Sequence, residues 1–196
     1  MRIVIIEFMS LDGVVQAPGG PDEDTDGGFA HGGWSHRFFD DVVGGSFTDA
    51  MTDADALLFG RRTWQVMAAA WPERAGDPFA DRMNAIPKYV VSATLGDDEL
   101  TWNTTRIPGA QAVGRIRELR ETDGGDVVVM GSASLARTLL HEGLVDELRL
   151  NIEPVILGGG KSIFPGDGAM RTLELASSAT SATGVHVCTY RPPAEA

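Results

Sequence analysis

The stretch Ala56-Leu57-Leu58-Phe59-Gly60-Arg61-Arg62-Thr63-Trp64 decides how this chain is interpreted. An apolar run that stops at a glycine and continues into two arginines is typical of a buried strand that turns into a helix. The first turn of a helix has unpaired backbone N–H groups and a positive dipole end, which together bind anions. Arg61 and Arg62 supply forked cations and Thr63 supplies a hydroxyl donor, and all three suit phosphate. The alternative is a structural junction with two solvated arginines, and this stretch alone does not decide between the two.

A second junction of the same kind occurs at Asp126-Val127-Val128-Val129-Met130-Gly131-Ser132-Ala133-Ser134-Leu135. Its apolar run meets Gly131, where a ligand can approach the backbone closely, and small residues then begin a helix. Ser132 or Ser134 can cap that helix or donate to a phosphate. Neither the GxGxxG spacing of Rossmann folds nor the spacing of a Walker loop is present. The recurrence of the pattern favours a phosphate-bearing ligand.

The composition describes an ordinary globular protein. Its 196 residues, 43% of them apolar and 22% charged, predict one domain over residues 1–196. The net charge of −12 argues against binding to nucleic acid or to a membrane surface, because both require basic patches. No membrane-spanning run and no signal-peptide pattern is present, and the single cysteine, Cys188, fits a reducing compartment, so we expect a cytoplasmic protein. His31 and His36 are not spaced with other ligands in a metal pattern, so no metal is predicted.

The order of apolar segments predicts an α/β fold. The first strand is expected over residues 2–9, interrupted only by Glu7, and further strands are expected before Gly60, at 88–92, before Gly131 and over 146–157. A weakly alternating pair over 172–177 and 184–191 closes the sheet. Helices are expected over 61–70, over 109–121 and from Gly131 to Gly143. This order predicts a mainly parallel central sheet with helices on both faces and an antiparallel C-terminal edge.

One further helix is expected after the first long loop. Ser35 is its predicted cap, and apolar residues at helical spacing are expected to face the core; they are Phe38, Phe39, Val42, Val43 and Phe47. The stretch between Trp71 and Pro87 is interpreted as a loop.

The end of the first strand is expected to face a ligand. Asp12 lies just beyond it, where open α/β sheets bind ligands, although Asp12-Gly13 is also a common turn. Residues 16–33 are rich in Gly, Pro and Asp and form a long loop, whose acidic run 22–24 is interpreted as solvated surface. Trp34 is either a wall of the site or a packed core tryptophan. The triple glycine at 158–160 either admits a ligand to the backbone or makes a flexible turn.

Five motifs then occur in one order along the chain. They are Ser-Leu-Asp-Gly at 10–13, Gly-Arg-Arg-Thr at 60–63, Val-Val-Ser-Ala-Thr-Leu at 90–95, Gly-Ser-Ala-Ser-Leu at 131–135, and Asp-Glu-Leu through Gly-Gly-Gly-Lys at 146–161. The set resembles the dihydrofolate reductase superfamily. It resembles more closely the stand-alone proteins related to the reductase domain of the bifunctional riboflavin-biosynthesis deaminase-reductase. The resemblance covers nearly the whole chain and implies an NADPH-binding α/β sheet.

The resemblance also implies how NADPH would lie. The phosphates of its adenine half would contact Gly60, Arg61, Arg62 and Thr63, with Arg61 or Arg62 near the 2′-phosphate. Ser92 would lie by the adenosine portion. The pyrophosphate would be held by Gly131, Ser132, Ala133, Ser134 and Leu135. The nicotinamide would point toward Asp12, and substrate contacts are expected from Gly13, Trp34, Leu157, Gly158 and Phe164.

Three departures from the resemblance bear on the substrate, the cofactor and the deaminase activity in turn. Folate reductases carry a pterin-binding carboxylate on the helix after the first long loop, whereas Asp40 and Asp41 fall outside a matching motif. Ala93 follows Ser92 where those reductases commonly have an arginine, so the 2′-phosphate must rely on Arg61 and Arg62. The zinc-deaminase signature of the bifunctional enzyme is absent.

These observations lead to one main hypothesis and two alternatives. The main one is an NADPH-dependent reductase of a small pterin-like, pyrimidine-like or carbonyl-containing metabolite, in which Asp12 orients the substrate or delivers a proton. Because the ordinary pKa of an aspartate is about 3.9, burial would have to raise the pKa of Asp12 for the second role. The alternatives are a nucleotide-binding module without hydride transfer and a flavin-binding reductase. A homodimer would use the strands around 146–157 or 184–191 as edges.

Overall fold

The computed structural model describes residues 1–74 and 76–194, and within them eight strands form one mixed sheet. The strands are β1 (Arg2–Ser10), β2 (Ala54–Gly60), β3 (Lys88–Ser92), β4 (Thr104–Pro108), β5 (Asp126–Val129), β6 (Glu147–Glu153), β7 (Glu174–Thr180) and β8 (His186–Arg191). The helices are α1 (Asp41–Thr52), α2 (Arg61–Ala70), α3 (Pro78–Ala85), α4 (Ala112–Arg120) and α5 (Ala133–His141). Short 3-10 turns lie at Asp26–Gly28, His36–Phe38, Asp97–Glu99 and Gly109–Gln111.

The sheet has the strand order β4-β3-β2-β5-β1-β6-β8-β7. Every pairing from β4 to β6 is parallel, whereas β8 joins β6 and β7 in antiparallel fashion. The predicted mainly parallel sheet with an antiparallel C-terminal edge is confirmed. The long first strand β1 lies between β5 and β6 and forms the centre of the sheet.

The core has two halves, one on each face of the sheet. Along β1, Ile3 and Ile5 point to the half that packs under α4 and α5. The alternate residues Val4 and Ile6 point to the half that packs under α1, α2 and α3. This burial on both faces explains why the central strands are nearly continuous apolar runs, and it confirms helices on both faces.

The first helix begins later than predicted. Asp40, not Ser35, caps α1, because the Asp40 carboxylate accepts the backbone N–H groups of residues 42 and 43. The Ser35 hydroxyl instead donates to the buried Glu153 at 2.6 Å. Phe39 and Val42, expected in the core, are 56% and 40% exposed. The helix predicted from the apolar spacing therefore began too early in the chain.

Two elements were not predicted. Strand β4 was missed because Ile107 is its one buried residue, which leaves no apolar run to recognise. Helix α3 was missed inside the stretch interpreted as a loop. Its start carries a standard signal, since Asp77 caps the backbone N–H of Ala80 and Pro78 occupies the first turn.

The strands expected to form the edges of the sheet do not form them. β6 lies between β1 and β8, and β8 lies between β6 and β7, so the outer strands are β4 and β7. The prediction that β6 and β8 are edge strands is therefore wrong, whereas the homodimer itself stays a prediction. Cys188 in β8 is buried, as expected for a core thiol. No helix in the described part of the chain is long and apolar enough to cross a membrane.

Candidate functional site

A cavity of about 700 Å³ lies at the carboxyl ends of the central parallel strands. It forms where β1 and β5 separate. Their pairing ends at Ile5 and Val129, whereas the pairing of β1 with β6 continues to Ser10 and Glu153. Beyond that separation the residues 6–8 of β1 are left without a neighbour on the β5 side and line the cavity. Ligands of open α/β sheets bind at this kind of position.

The two strand-to-helix junctions predicted from the sequence touch each other in this cavity. The backbone N–H of Gly60 donates to the carbonyl of Gly131 across 3.2 Å. A Cβ atom on Gly60 would lie 2.9 Å from Cβ of Ser132 and closer still to its hydroxyl. Gly131 has φ +83°, and a Cβ atom there would lie 3.0 Å from the Thr63 hydroxyl. Both positions therefore require glycine.

The helices that follow these glycines both begin at the cavity without a side-chain cap. Gly60 has no side chain to cap α2, and the Ser132 side chain makes no capping bond to α5. The Ser132 hydroxyl is instead 3.0 Å from the Ser134 hydroxyl. The first-turn N–H groups of two helices are thus available to one ligand, which is the arrangement that binds phosphates.

All ten residues predicted to bind the cofactor line this one cavity. They are Gly60, Arg61, Arg62, Thr63, Ser92, Gly131, Ser132, Ala133, Ser134 and Leu135. The Ser92 hydroxyl accepts the backbone N–H groups of Thr94 and Leu95 at 3.1 and 2.9 Å. Ser92 therefore shapes the turn after β3 with its side chain.

The two adjacent arginines have different surroundings. Arg62 forms ion pairs with Asp24, at 3.1 Å, and with Asp26. Arg61 makes one side-chain hydrogen bond, to Gln65 at 3.3 Å in its own helix. Among the residues that the structure describes, no carboxylate lies within ion-pair distance of Arg61. Arg61 is therefore the cation of this pair that remains available to an anionic ligand.

A charge bridge crosses the cavity from the long loop. Asp24 and Asp26 together bind Arg62 of α2 and Lys161 of the glycine-rich turn, with 2.9 Å between Lys161 and Asp26. The ion pairs with Arg62 and then Lys161 lower the pKa of Asp26 to about 2, so its carboxylate is charged at neutral pH. The side-chain amide of Gln16 holds the loop in place by donating to two of its carbonyls. The interpretation of the acidic run as mere solvated surface is wrong for Asp24 and for Glu23, which is partly buried and lines the cavity.

One functional candidate in the cavity wall was not recognised from the sequence. Glu7 is 7% exposed, and its Oε1 atom has no hydrogen-bond partner among the described residues. Burial, and then the charge of Glu23, raise the pKa of Glu7 to about 8, against a weaker opposite effect of the Gly131 N–H. The available signal was a carboxylate inside a strand predicted to be covered on both faces, where an unpaired charge is costly.

The sequence matches the model of the RibD C-terminal domain over residues 2–187. The chain belongs to this family. It is 27% identical over 194 residues to the uncharacterized protein YyaP of Bacillus subtilis (strain 168), a match that covers 96% of this chain and 94% of that protein. The resemblance inferred from the motifs is confirmed.

Solved structures show the same fold. A protein assigned to riboflavin biosynthesis from Shewanella sp. PV-4 superimposes with TM-score 0.71 and 17% identity, covering 99% of this chain and 100% of that one. A pyrimidine reductase-like protein from Corynebacterium diphtheriae gives 0.66 and 14%, covering 99% and 92%. Dihydrofolate reductase from Enterococcus faecalis, complexed with NADP(H) and RAB-propyl, gives 0.60 and 14%, covering 97% and 96%.

Asp12 is a structural bridge in this RibD-type chain. Its carboxylate accepts the Ser10 hydroxyl at 2.6 Å and the backbone N–H groups of Leu157 and Gly158 at 3.1 and 2.8 Å. These hydrogen bonds, that from Ser10 first, lower the pKa of Asp12 to about 2. The raised pKa that proton delivery would require is therefore absent, and Asp12 does not line the large cavity.

The residues predicted to contact substrate lie outside the large cavity. Trp34 is buried and donates its indole N–H to the Gln16 carbonyl at 2.8 Å, as a packed core tryptophan does. Gly13 adopts φ +81° in the turn after β1, next to the half-exposed ring of Phe164. Leu157 and Gly158 line a second cavity of about 660 Å³, which shares lining residues with the first; the shared residues are Gln16, Asp26 and Lys161.

Proposed function

We propose that this chain is an NADPH-dependent reductase that transfers hydride to a small pterin-like, pyrimidine-like or carbonyl-containing metabolite. The observation that carries the proposal is the meeting of two uncapped helix N-termini, those of α2 and α5, in one cavity at the carboxyl ends of the strands. Membership of the RibD C-terminal domain family and the fold shared with dihydrofolate reductase support it.

The residues of the cavity suit the parts of NADPH. The first turn of α5, with the hydroxyls of Ser132 and Ser134, provides donors for the pyrophosphate. The first turn of α2 and the guanidinium of Arg61 provide hydrogen-bond donors for the 2′-phosphate. When bound, NADPH would supply the hydride, and the protein would supply position and electrostatics.

The nicotinamide end of NADPH would be held at the separation of β1 from β5. The phosphate donors are at the starts of α2 and α5, and the wall formed by Ile6, Glu7 and Phe8 would hold the other end of the dinucleotide. Gln16 and Pro18 of the long loop line the cavity as well, and loop residues placed in this way would help to exclude water.

The first experiment is a fluorescence titration with NADPH and, in parallel, with NADH. Arg61→Ala is expected to weaken NADPH binding about tenfold or more and to leave NADH binding nearly unchanged, since a charge-assisted hydrogen bond contributes about 1.5–3 kcal/mol. Arg62→Ala tests the arginine that already has carboxylate partners. Arg115→Ala is the control, because Arg115 pairs with Glu118 on α4 and does not line the cavity.

The second experiment measures NADPH oxidation with a panel of pterins, pyrimidines, quinones and small carbonyl compounds. Oxidation with one compound class identifies the substrate class. Tight binding without oxidation would identify a nucleotide-binding module. A yellow chromophore that copurifies would identify a flavin protein. If neither NADPH nor NADH binds, the proposal is overturned.

A further inference from the structure

Glu7 occupies the wall of the cavity where a substrate would meet the nicotinamide. We propose that Glu7 is the catalytic residue that donates the proton accompanying hydride transfer, an inference that rests on the proposed function. Glu7 lies on β1, beyond the last pair that β1 forms with β5. At this point the β5 side of the strand faces the cavity, while its other side still pairs with Leu150 of β6.

The carboxyl group of Glu7 is buried but incompletely paired. The side chain is 7% exposed, and Oε1 has no hydrogen-bond partner within the described part of the chain. The backbone N–H of Gly131 is the polar group from the neighbouring junction that faces this carboxyl. A buried polar atom without a partner is costly, so this atom is suited to a partner that arrives with the ligand.

The surroundings of Glu7 favour its neutral form. Burial raises the pKa of its carboxyl, and so does the negative charge of Glu23, which lines the same cavity from the long loop. Burial also raises the pKa of Glu23. A carboxylic acid that remains protonated near neutral pH can act as a general acid.

The cations of the cavity do not reverse this effect. Arg62 and Lys161 line the cavity, but both are bound by the carboxylates of Asp24 and Asp26. Arg61 also lines the cavity, without a carboxylate partner among the described residues, and it does not lower the pKa of Glu7. Among the described residues Glu7 forms no ion pair. The charge bridge thus keeps two cations from stabilising the ionised form of Glu7.

The reaction then balances with one hydride and one proton. The carbon of a C=N or C=O bond gains the hydride and the nitrogen or oxygen gains the proton from the Glu7 carboxyl, so both new bonds form as the double bond is reduced by two electrons. NADPH, when bound, would supply the hydride and its two electrons, and Glu7 would be left as a carboxylate. Solvent returns the proton, and the half-buried Glu23 lies at the cavity to relay it.

The protonation state of Glu7 is tested directly by carbon NMR of protein with carboxyl-labelled glutamate. We expect one carboxyl resonance to titrate near pH 8 and to be missing in Glu7→Gln. Glu23→Gln should shift that titration to lower pH, since it removes a like charge. A Glu7 resonance that titrates in the ordinary carboxylate range would overturn the proposal.

The catalytic role is tested by single-turnover hydride transfer from NADPH to the panel compound that the wild type reduces fastest. At pH 7, Glu7→Gln should slow transfer about 100- to 10,000-fold, the usual contribution of a general acid. The NADPH dissociation constant of Glu7→Gln should stay within about threefold of the wild-type value. This is well below the tenfold change that the loss of one strong contact produces. The wild-type rate should fall as pH rises through about 8, whereas the residual Glu7→Gln rate should not. Glu153→Gln is the control, a second buried carboxyl that does not line the cavity.

The outcomes separate this role from the proposed function. Equal hydride-transfer rates for Glu7→Gln and the wild type would overturn the role of Glu7 and leave the reductase proposal intact. Parallel losses of NADPH affinity and rate in Glu7→Gln would also overturn it, because they would indicate a structural residue. Failure of the wild type to bind NADPH would overturn the proposed function. The binding titration measures this on its own, without hydride-transfer data.

Discussion

The backbone N–H of Gly60 donates to the carbonyl of Gly131 across 3.2 Å and joins the ends of β2 and β5. This contact places the starts of α2 and α5 side by side, so that their unpaired N–H groups face one cavity. The approach is close enough that neither position accepts a side chain without movement of its neighbour, Ser132 or Thr63.

Gly60→Ala should therefore damage binding and stability together. A methyl group at residue 60 would overlap Ser132, so the second junction must shift. We expect unfolding free energy to fall by about 1–3 kcal/mol, the usual cost of overpacking, and NADPH affinity to fall at least about tenfold. Urea unfolding and fluorescence titration measure the two effects.

Gly114→Ala is the matched control for this substitution. Gly114 lies inside α4, and a Cβ atom there would meet nothing within 4 Å. Alanine in a helix interior is favoured over glycine by about 0.5–1 kcal/mol, so this variant should be slightly stabilised and bind NADPH normally. Equal behaviour of the two variants would contradict the close packing of the junctions.

Asp26→Asn should strengthen NADPH binding. The Asp26 carboxylate is charged at neutral pH, because its pKa is lowered to about 2, and it competes with a ligand phosphate for Arg62 and Lys161. Removing the charge should raise NADPH affinity several-fold at low ionic strength, and the gain should shrink as salt screens the cavity. Fluorescence titration at two salt concentrations measures both expectations.

Asp22→Asn controls for the change in net charge. Asp22 lies in the same loop and is exposed, and it makes no ion pair with the described residues. Its substitution should leave NADPH affinity nearly unchanged. If Asp26→Asn weakens binding instead, the charge bridge holds the loop in the binding-competent form rather than competing with phosphate.

The two junctions at the cavity could be predicted from the sequence because their signals are local. An apolar run followed by glycine identifies each junction within ten residues, whether or not the partner junction is known. The charge bridge is not local, since Arg62 lies 36 residues from Asp26 and Lys161 lies 135 residues from it. No spacing pattern connects such groups, so the acidic loop was interpreted as surface.

The roles of the carboxylates were hidden for the same reason. Asp12 owes its low pKa partly to the backbone of Leu157, which is 145 residues away, and Glu7 owes its high pKa to burial. Residue type and position just beyond β1 identified Asp12 as a candidate, but its protonation state depends on tertiary contacts. By contrast, α3 could have been predicted, because Asp77-Pro78 is a local helix-start signal.

Asp12→Asn should destabilise the protein without removing hydride transfer. The Asp12 carboxylate now accepts hydrogen bonds from the Ser10 hydroxyl and from the backbone N–H groups of residues 157 and 158. The N–H₂ group of an asparagine would face one of these donors and could not accept its hydrogen bond. The thermal unfolding midpoint at pH 7 should fall by a few degrees. The pKa of Asp12 is lowered in the folded protein. The wild type should therefore be more stable than Asp12→Asn by the full amount above pH 3.8, and this difference in stability should be lost as pH falls toward about 2.

Hydride-transfer kinetics test whether Asp12 is a structural residue only. Asp12→Asn should keep most of the single-turnover rate and of the NADPH affinity. A large rate loss at unchanged NADPH affinity would instead restore the substrate-orienting role predicted from the sequence.

The pH dependence of stability should reveal the buried carboxyls. In the folded protein the pKa of Glu7 is about 8 and that of Glu153 about 7, mainly because burial disfavours the charged forms, whereas both have ordinary values of 4.5. Between pH 4.5 and 7 each group is protonated when folded and ionised when unfolded. Stability must therefore fall as pH rises, by up to about 1.4 kcal/mol per pH unit for each group. The contribution of Glu7 should be fully present below pH 4.5 and lost above about pH 8.

Urea unfolding at pH 5, 6, 7 and 8 separates the two groups. Glu7→Gln should make the decline in unfolding free energy shallower up to about pH 8, whereas Glu153→Gln should do so up to about pH 7. Between pH 7 and 8 the two variants should therefore differ most in slope, with Glu153→Gln keeping the wild-type decline. A Glu7→Gln curve parallel to the wild type over the whole range would show that Glu7 is ionised in the folded protein, which contradicts a neutral carboxyl in the cavity wall.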